Sequence, residues 1–97
     1  MHRLGIPVRD RHGDVQAVEA YVDAEVVDLY LLGRLRASFP REELRQWLRE
    51  RPGTPLVRGE VIWSVTGDGE VVLAVRGWVS GSAVTNRSIH WLMHDPD

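Results

Sequence analysis

Along "VQAVEAYVDAE" apolar and polar residues alternate, so that Val18, Ala20 and Val22 fall on one side and Glu19, Tyr21 and Asp23 on the other. That is the period of a half-buried strand. The run "VVDLYLL" that follows is rich in branched and aromatic residues, and "LRASF" returns as its partner across "GR", with Gly33 where positive φ carries no steric cost. The pattern then changes. In "PREELRQWLRE", Pro40 to Glu50, the apolar residues Leu44, Trp47 and Leu48 stand at i, i+3 and i+4, which predicts a helix laying one face on a sheet. Proline at its start, Glu42 and Glu43 in the first turn and Arg49 and Arg51 near the end suit the helix dipole, and "RPG" stops it.

A second hairpin is predicted in "VIWSVTGDGEVVLAV", and its register follows from the pattern. A two-residue Asp68-Gly69 turn would mix apolar and polar side chains on both faces. A three-residue loop, Gly67-Asp68-Gly69, gathers Val61, Trp63, Val65, Val71, Leu73 and Val75 on one face. Ile62, Val72 and Ala74 are then left on the other face, which asks for a second contact layer from the C-terminal segment or from another subunit. At the end, "SIHWLMHD" alternates Ile89, Trp91 and Met93 against His90, Leu92 and His94, the pattern of a closing strand, with a short helix as the alternative. The expected fold is therefore α+β and a single domain over residues 1–97. It consists of an antiparallel β-sheet of four to six strands (ββ-α-ββ plus a C-terminal strand) with one amphipathic helix.

Composition narrows the function. Lys+Arg 12 against Asp+Glu 14 gives a net charge of -2, so the field of the whole molecule draws it to neither nucleic acid nor an anionic membrane. All the basic residues are arginine, which suits a GC-rich, actinobacterial genome. No run of about 18 apolar residues and no secretory h-region is present, so a soluble, cytoplasmic protein is expected. Cysteine is absent, which removes disulfides, thiolate zinc sites and cysteine nucleophiles. No triad setting or carboxylate pair stands out, and no cofactor is expected.

Four groups of residues carry the remaining chemistry. Trp78 and Trp91 exceed what a core of this size needs, and with Ile62 and Val72 they are assigned to a subunit or partner interface. Trp47 and Trp63 are assigned to the core. Arg41, Arg45 and Arg49 recur every four residues as a basic stripe on the exposed side of the helix, able to meet DNA phosphates or an acidic partner. The polar stretch "VSGSAVTNRS", with residues 80–88 as a loop, could line a small-ligand pocket. His90 and His94 are metal candidates only if their segment is helical, since a strand rise of roughly 3.3 Å per residue sets them about 13 Å apart. In a helix they would be neighbours, with Asp95 or Asp97 to complete the set.

The succession "LRASFPREELRQWL" then "EVIWSVTGDGEVVLAVRGWV" resembles the small acidic BldB-type regulators of filamentous actinobacteria in layout and composition, over about Val15 to Val79. The resemblance implies a non-enzymatic, self-associating protein that acts in transcription through a helix-turn-helix partner, and it brings no catalytic residues. The expectation is thus a homodimeric protein-interaction module in transcriptional control. Direct DNA binding through the arginine stripe, and a ligand-binding domain or enzyme using the polar loop and the histidines, are the alternatives.

Overall fold

In the computed structural model, which describes residues 1–94, the chain runs through ten elements. Four strands, β1 (His2–Arg9), β2 (Val15–Val22), β3 (Val26–Leu31) and β4 (Arg34–Pro40), form one antiparallel meander that leads into helix α1 (Arg41–Glu50). Four more, β5 (Leu56–Arg58), β6 (Val61–Val65), β7 (Val71–Val75) and β8 (Val79–Ala83), form a second meander that leads into helix α2 (Asn86–Met93). The architecture is α+β as expected, but with two four-stranded sheets and two helices rather than one sheet and one helix. The sequence shows no repeat, yet the topology has one: a four-stranded meander followed by a helix, twice over.

The sheets turn their apolar faces toward one another. From the first come Ile6, Val8, Val18, Ala20, Val22, Leu29, Leu31 and Phe39, and from the second Val61, Trp63, Val71, Leu73 and Val75, all buried in one continuous core. Phe39 meets Trp63 edge to face across this layer, at 6.5 Å between ring centroids. On α1, Leu44, Trp47 and Leu48 are buried as the helical period requires, and the indole of Trp47 donates to the carbonyl of Thr54 at 3.0 Å. The register of β6–β7 follows the three-residue loop: Val61 faces Val75, Trp63 faces Leu73, Val65 faces Val71, and Gly69 takes a φ of 82° in the turn. A shift by one residue would have set Val72 and Ala74 on the face of Val61, Trp63 and Val65 and turned Leu73 away from Trp63.

Two features of the first sheet differ from expectation, each for a local reason. The β3–β4 turn is Leu32-Gly33, one residue earlier than "GR", and both residues have positive φ (53° and 76°), as the hairpin turn that matches strand twist demands. A bulge follows: Leu29 pairs with Ala37 and Tyr30 with Leu35, so Arg36 has no partner across the strand. The extra residue re-aims its side chain inward, which is why Arg36 and Ala37 are buried in succession.

The C-terminal segment is helix, not strand. Its helical period buries Ile89 and Leu92 against the core, and Thr85 caps it by accepting a hydrogen bond from the Ser88 backbone N–H at 3.2 Å. Residues read as a polar loop are therefore strand β8 and a helix cap.

The two sheets are tied at both seams. The backbone N–H of Arg9 in β1 donates to the hydroxyl of Ser82 in β8 at 2.9 Å. At the other seam the N–H of Glu60, in the β5–β6 turn, donates to the carbonyl of Arg36 at 3.0 Å. Glu60 also pairs with the guanidinium groups of Arg34 and of Arg36, the latter at 2.9 Å. The hydrogen bond from Arg36 holds the Glu60 carboxyl below its usual titration range, against the opposing effect of burial and with help from the charges of Arg34 and Arg36. A carboxyl with a lowered folded-state pKa stabilises the fold above its unfolded pKa, and that contribution is lost as pH falls through the folded value. Urea midpoints of the parent and of Glu60→Gln should therefore differ at neutral pH and converge on acidification. A gap that stays constant with pH would show that the pair does not act through charge.

Candidate interaction surface

The outer face of the second sheet is apolar where a free sheet surface would be polar. Across β5, β6 and β7 the outward residues Val57, Ile62 and Ala74 form one row, since Val57 pairs with Ile62 and Ile62 with Ala74. Val57 is exposed, and the other two are half-buried. Trp78 joins them from the three-residue β7–β8 turn, which Gly77 makes possible with a φ of 81° and which is closed by the Trp78 N–H donating to the Val75 carbonyl at 3.0 Å. Ile62, Ala74 and Trp78, together with Arg11 and Arg76, line an open groove of about 330 Å³. Val72 lies on the same face but beside this groove, with Gly81 of β8 against it.

Trp78 is 37% exposed, and its position is set from below. The guanidinium carbon of Arg36 lies 5.7 Å from the centre of its ring, a cation–π distance. Arg36 is itself fixed, bonded to Glu60 at 2.9 Å and to the Leu31 carbonyl at 3.3 Å. The bulge, the buried arginine and the exposed indole thus form one chain of cause. An aromatic ring already held in place binds with less loss of conformational freedom than a mobile one. Arg11 and Arg76 are exposed beside it, so the groove combines an aromatic anchor with positive charge.

The outer face of the first sheet has the opposite chemistry. Tyr21 pairs across the strands with Asp28, and Glu19 with Tyr30, giving a checkerboard of two rings and two carboxylates. The rings meet edge to face at 5.2 Å, Tyr21 donates to Glu19 at 3.0 Å, and the Ser38 hydroxyl donates to Asp28 at 2.6 Å. With Met1 and Gly33 these four residues border a groove of about 410 Å³. The alternation of β2 placed Glu19 and Tyr21 on its polar side, but only the cross-strand register brings Asp28 and Tyr30 to them.

The other expected site residues fall elsewhere. Trp91 is not on the Trp78 surface: it lies on α2, half-buried against the chain's own core, with its ring 5.9 Å from that of His2. The arginine stripe is not assembled on an exposed face. Arg41 is buried and donates to the Asp23 carbonyl at 3.1 Å, Arg45 is half-buried and bonded to Glu42 at 3.1 Å, and Arg49 is exposed. A spacing of four drifts about 40° per step on a 3.6-residue helix, so the series runs from the buried flank that Arg41 shares with Leu44 and Leu48 round to solvent at Arg49. Residues 80–88 contribute Thr85 and Asn86 to an open cleft of about 450 Å³ bordered also by Arg51, Asp68 and Glu70, but the Thr85 side chain is engaged as the helix cap. His90 on α2 and His94 at its C-cap are adjacent, with ring centroids 4.5 Å apart. Asp95 and Asp97 lie outside the described residues, and among the described residues no group of three or more His, Asp or Glu side chains is placed to hold a metal. No helix among them is long and apolar enough to cross a membrane.

The chain matches no protein family, no curated protein and no solved structure.

Proposed function

We propose that this chain is a small protein-binding module that associates with itself, the arginine-flanked Trp78 groove of one copy receiving the acidic tyrosine face of another. The observation that carries this reading is the exposed Trp78 ring, held over Arg36 and continuous with the apolar row Val57, Ile62 and Ala74. Tryptophan and arginine are the residues that most often anchor protein interfaces. The occupant should be aromatic or apolar and acidic, and the chain's own Glu19–Tyr21–Asp28–Tyr30 face has that chemistry. Such a contact joins two different surfaces, so association would be head to tail. A role in transcriptional control through a further, helix-turn-helix partner rests on the resemblance of layout over Val15 to Val79.

Charge reversal tests the pairing. Light scattering at tens of micromolar should show the parent chain above monomer mass. Arg11→Glu with Arg76→Glu, or Glu19→Arg with Asp28→Arg, should each return it to monomer, and mixing the two variants should restore association. If the variant reversed on the tyrosine face still dimerises, the contact is symmetric through the Trp78 surface. A strictly monomeric parent would remove self-association altogether.

A further inference from the structure

The histidine pair at the end of α2 has no part in the association surface, and its rings lie close enough to share one ligand. Three observations meet there. His90 and His94 are one helical turn apart, and the backbone N–H of His94 donates to the carbonyl of His90 at 3.0 Å, so the same two residues close the last turn of the helix and fix their own spacing. Their rings lie 4.5 Å apart between centroids and are inclined at 44°. Both side chains are exposed, while Ile89 and Leu92 on the opposite side of α2 are buried in the core and anchor the helix. The pair is therefore accessible: His90 rides on the anchored helix, and His94, its extended C-cap, is held beside it by the closing hydrogen bond.

From this the geometry points to a binding site for a divalent late transition-metal ion, Zn²⁺ or Cu²⁺, held by one ring nitrogen of His90 and one of His94 across a single helical turn. Imidazole suits these ions, and copper should bind more tightly than zinc at an all-nitrogen site. A metal–nitrogen bond is about 2.1 Å, so rings already this close can share an ion by small side-chain rotations that leave the helix intact. Two protein ligands leave positions open on the ion, as in sites that accept water or a further donor rather than in closed structural sites. Bound metal should also strengthen α2, because it links the residues that its last hydrogen bond links.

Calorimetric titration of untagged full-length protein with ZnSO₄, and separately with CuCl₂, tests the site. One ion per chain should bind, with copper tighter, and the melting temperature should rise with metal concentration. His90→Ala and His94→Ala should each weaken binding by more than the roughly 10- to 100-fold that loss of a mere supporting partner costs. His12→Ala, which alters an exposed histidine in the β1–β2 turn, should leave affinity unchanged. His90→Gln keeps a helix-forming residue of similar size and guards against misfolding, with the circular-dichroism spectrum as the control. Absence of binding, or binding that survives both alanine variants, would overturn the proposal.

Discussion

Truncation of Trp63 to alanine is expected to cost about 3–5 kcal/mol of stability, the range for loss of a large aromatic side chain from a packed core. Trp63 is fully buried between the sheets, paired across the strands with Leu73 and set edge to face against Phe39. Nothing exposed stands ready to collapse into the space, since its neighbours are held by two sheets tied at both seams. One detail separates packing from polarity. The indole N–H of Trp63 is buried and finds no hydrogen-bond acceptor among the described residues. A buried donor without a partner is unfavourable by about 1–3 kcal/mol. Trp63→Phe, which keeps a ring against Phe39 and removes that donor, should lose much less than Trp63→Ala. Urea midpoints of the three proteins check this order, and an alanine variant as stable as the parent would show that Trp63 is not the centre of the core.

Gly59→Ala should cost about 2–4 kcal/mol, an unusual loss for the addition of one methyl group in a surface turn. Gly59 has a φ of 53°, and a Cβ built there would lie 2.5 Å from the carbonyl oxygen of Arg36, well inside contact distance. That oxygen is the acceptor for the Glu60 N–H, so relief of the clash would open the hydrogen bond that ties the β5–β6 turn to β4. The disturbance should reach the surface through Arg36 and loosen Trp78. Gly53→Ala is the control: its Cβ would meet nothing within 4 Å, and the change should be nearly neutral. Thermal melting distinguishes the two, and equal effects at both glycines would discount the close approach.

Both sites depend on contacts that link distant parts of the chain, and this marks where the sequence was legible. The β2 strand, the β3–β4 hairpin, α1 and the β6–β7 register could be read because each has a clean period of its own and buries a face that the period defines. Trp47 and Trp63 fell into the core for the same reason, and Ile62 and Val72 onto the outer face once the register was fixed, whereas Trp78 was set apart only by the surplus of tryptophan. The elements missed are those without such a period. Gly5 and Pro7 interrupt the alternation of β1, which as an edge strand tolerates them. β5 has three residues, and β8, "VSGSA", is too polar and glycine-rich to announce a strand. In α2 the strand-like alternation of Ile89, Trp91 and Met93 competed with a helical reading whose one local sign was Thr85 placed three residues before Ser88. The inward turn of Arg36 could not be read at all, because it follows from a bulge that only the pairing of β3 with β4 creates.

The doubled meander has a consequence for how the chain is threaded. The first half meets the second along β4 and the β5–β6 turn, the second meets the first along β8 and β1, and the start of β1 lies beside the end of α2 through His2 and Trp91. Exchanging the two halves maps each seam onto the other. The two seams are thus alike in topology but not in chemistry: one rests on the Ser82 hydroxyl, the other on a backbone hydrogen bond and the Glu60 ion pairs. A substitution that loosens one seam therefore leaves the other to hold the sheets together, by a different kind of contact.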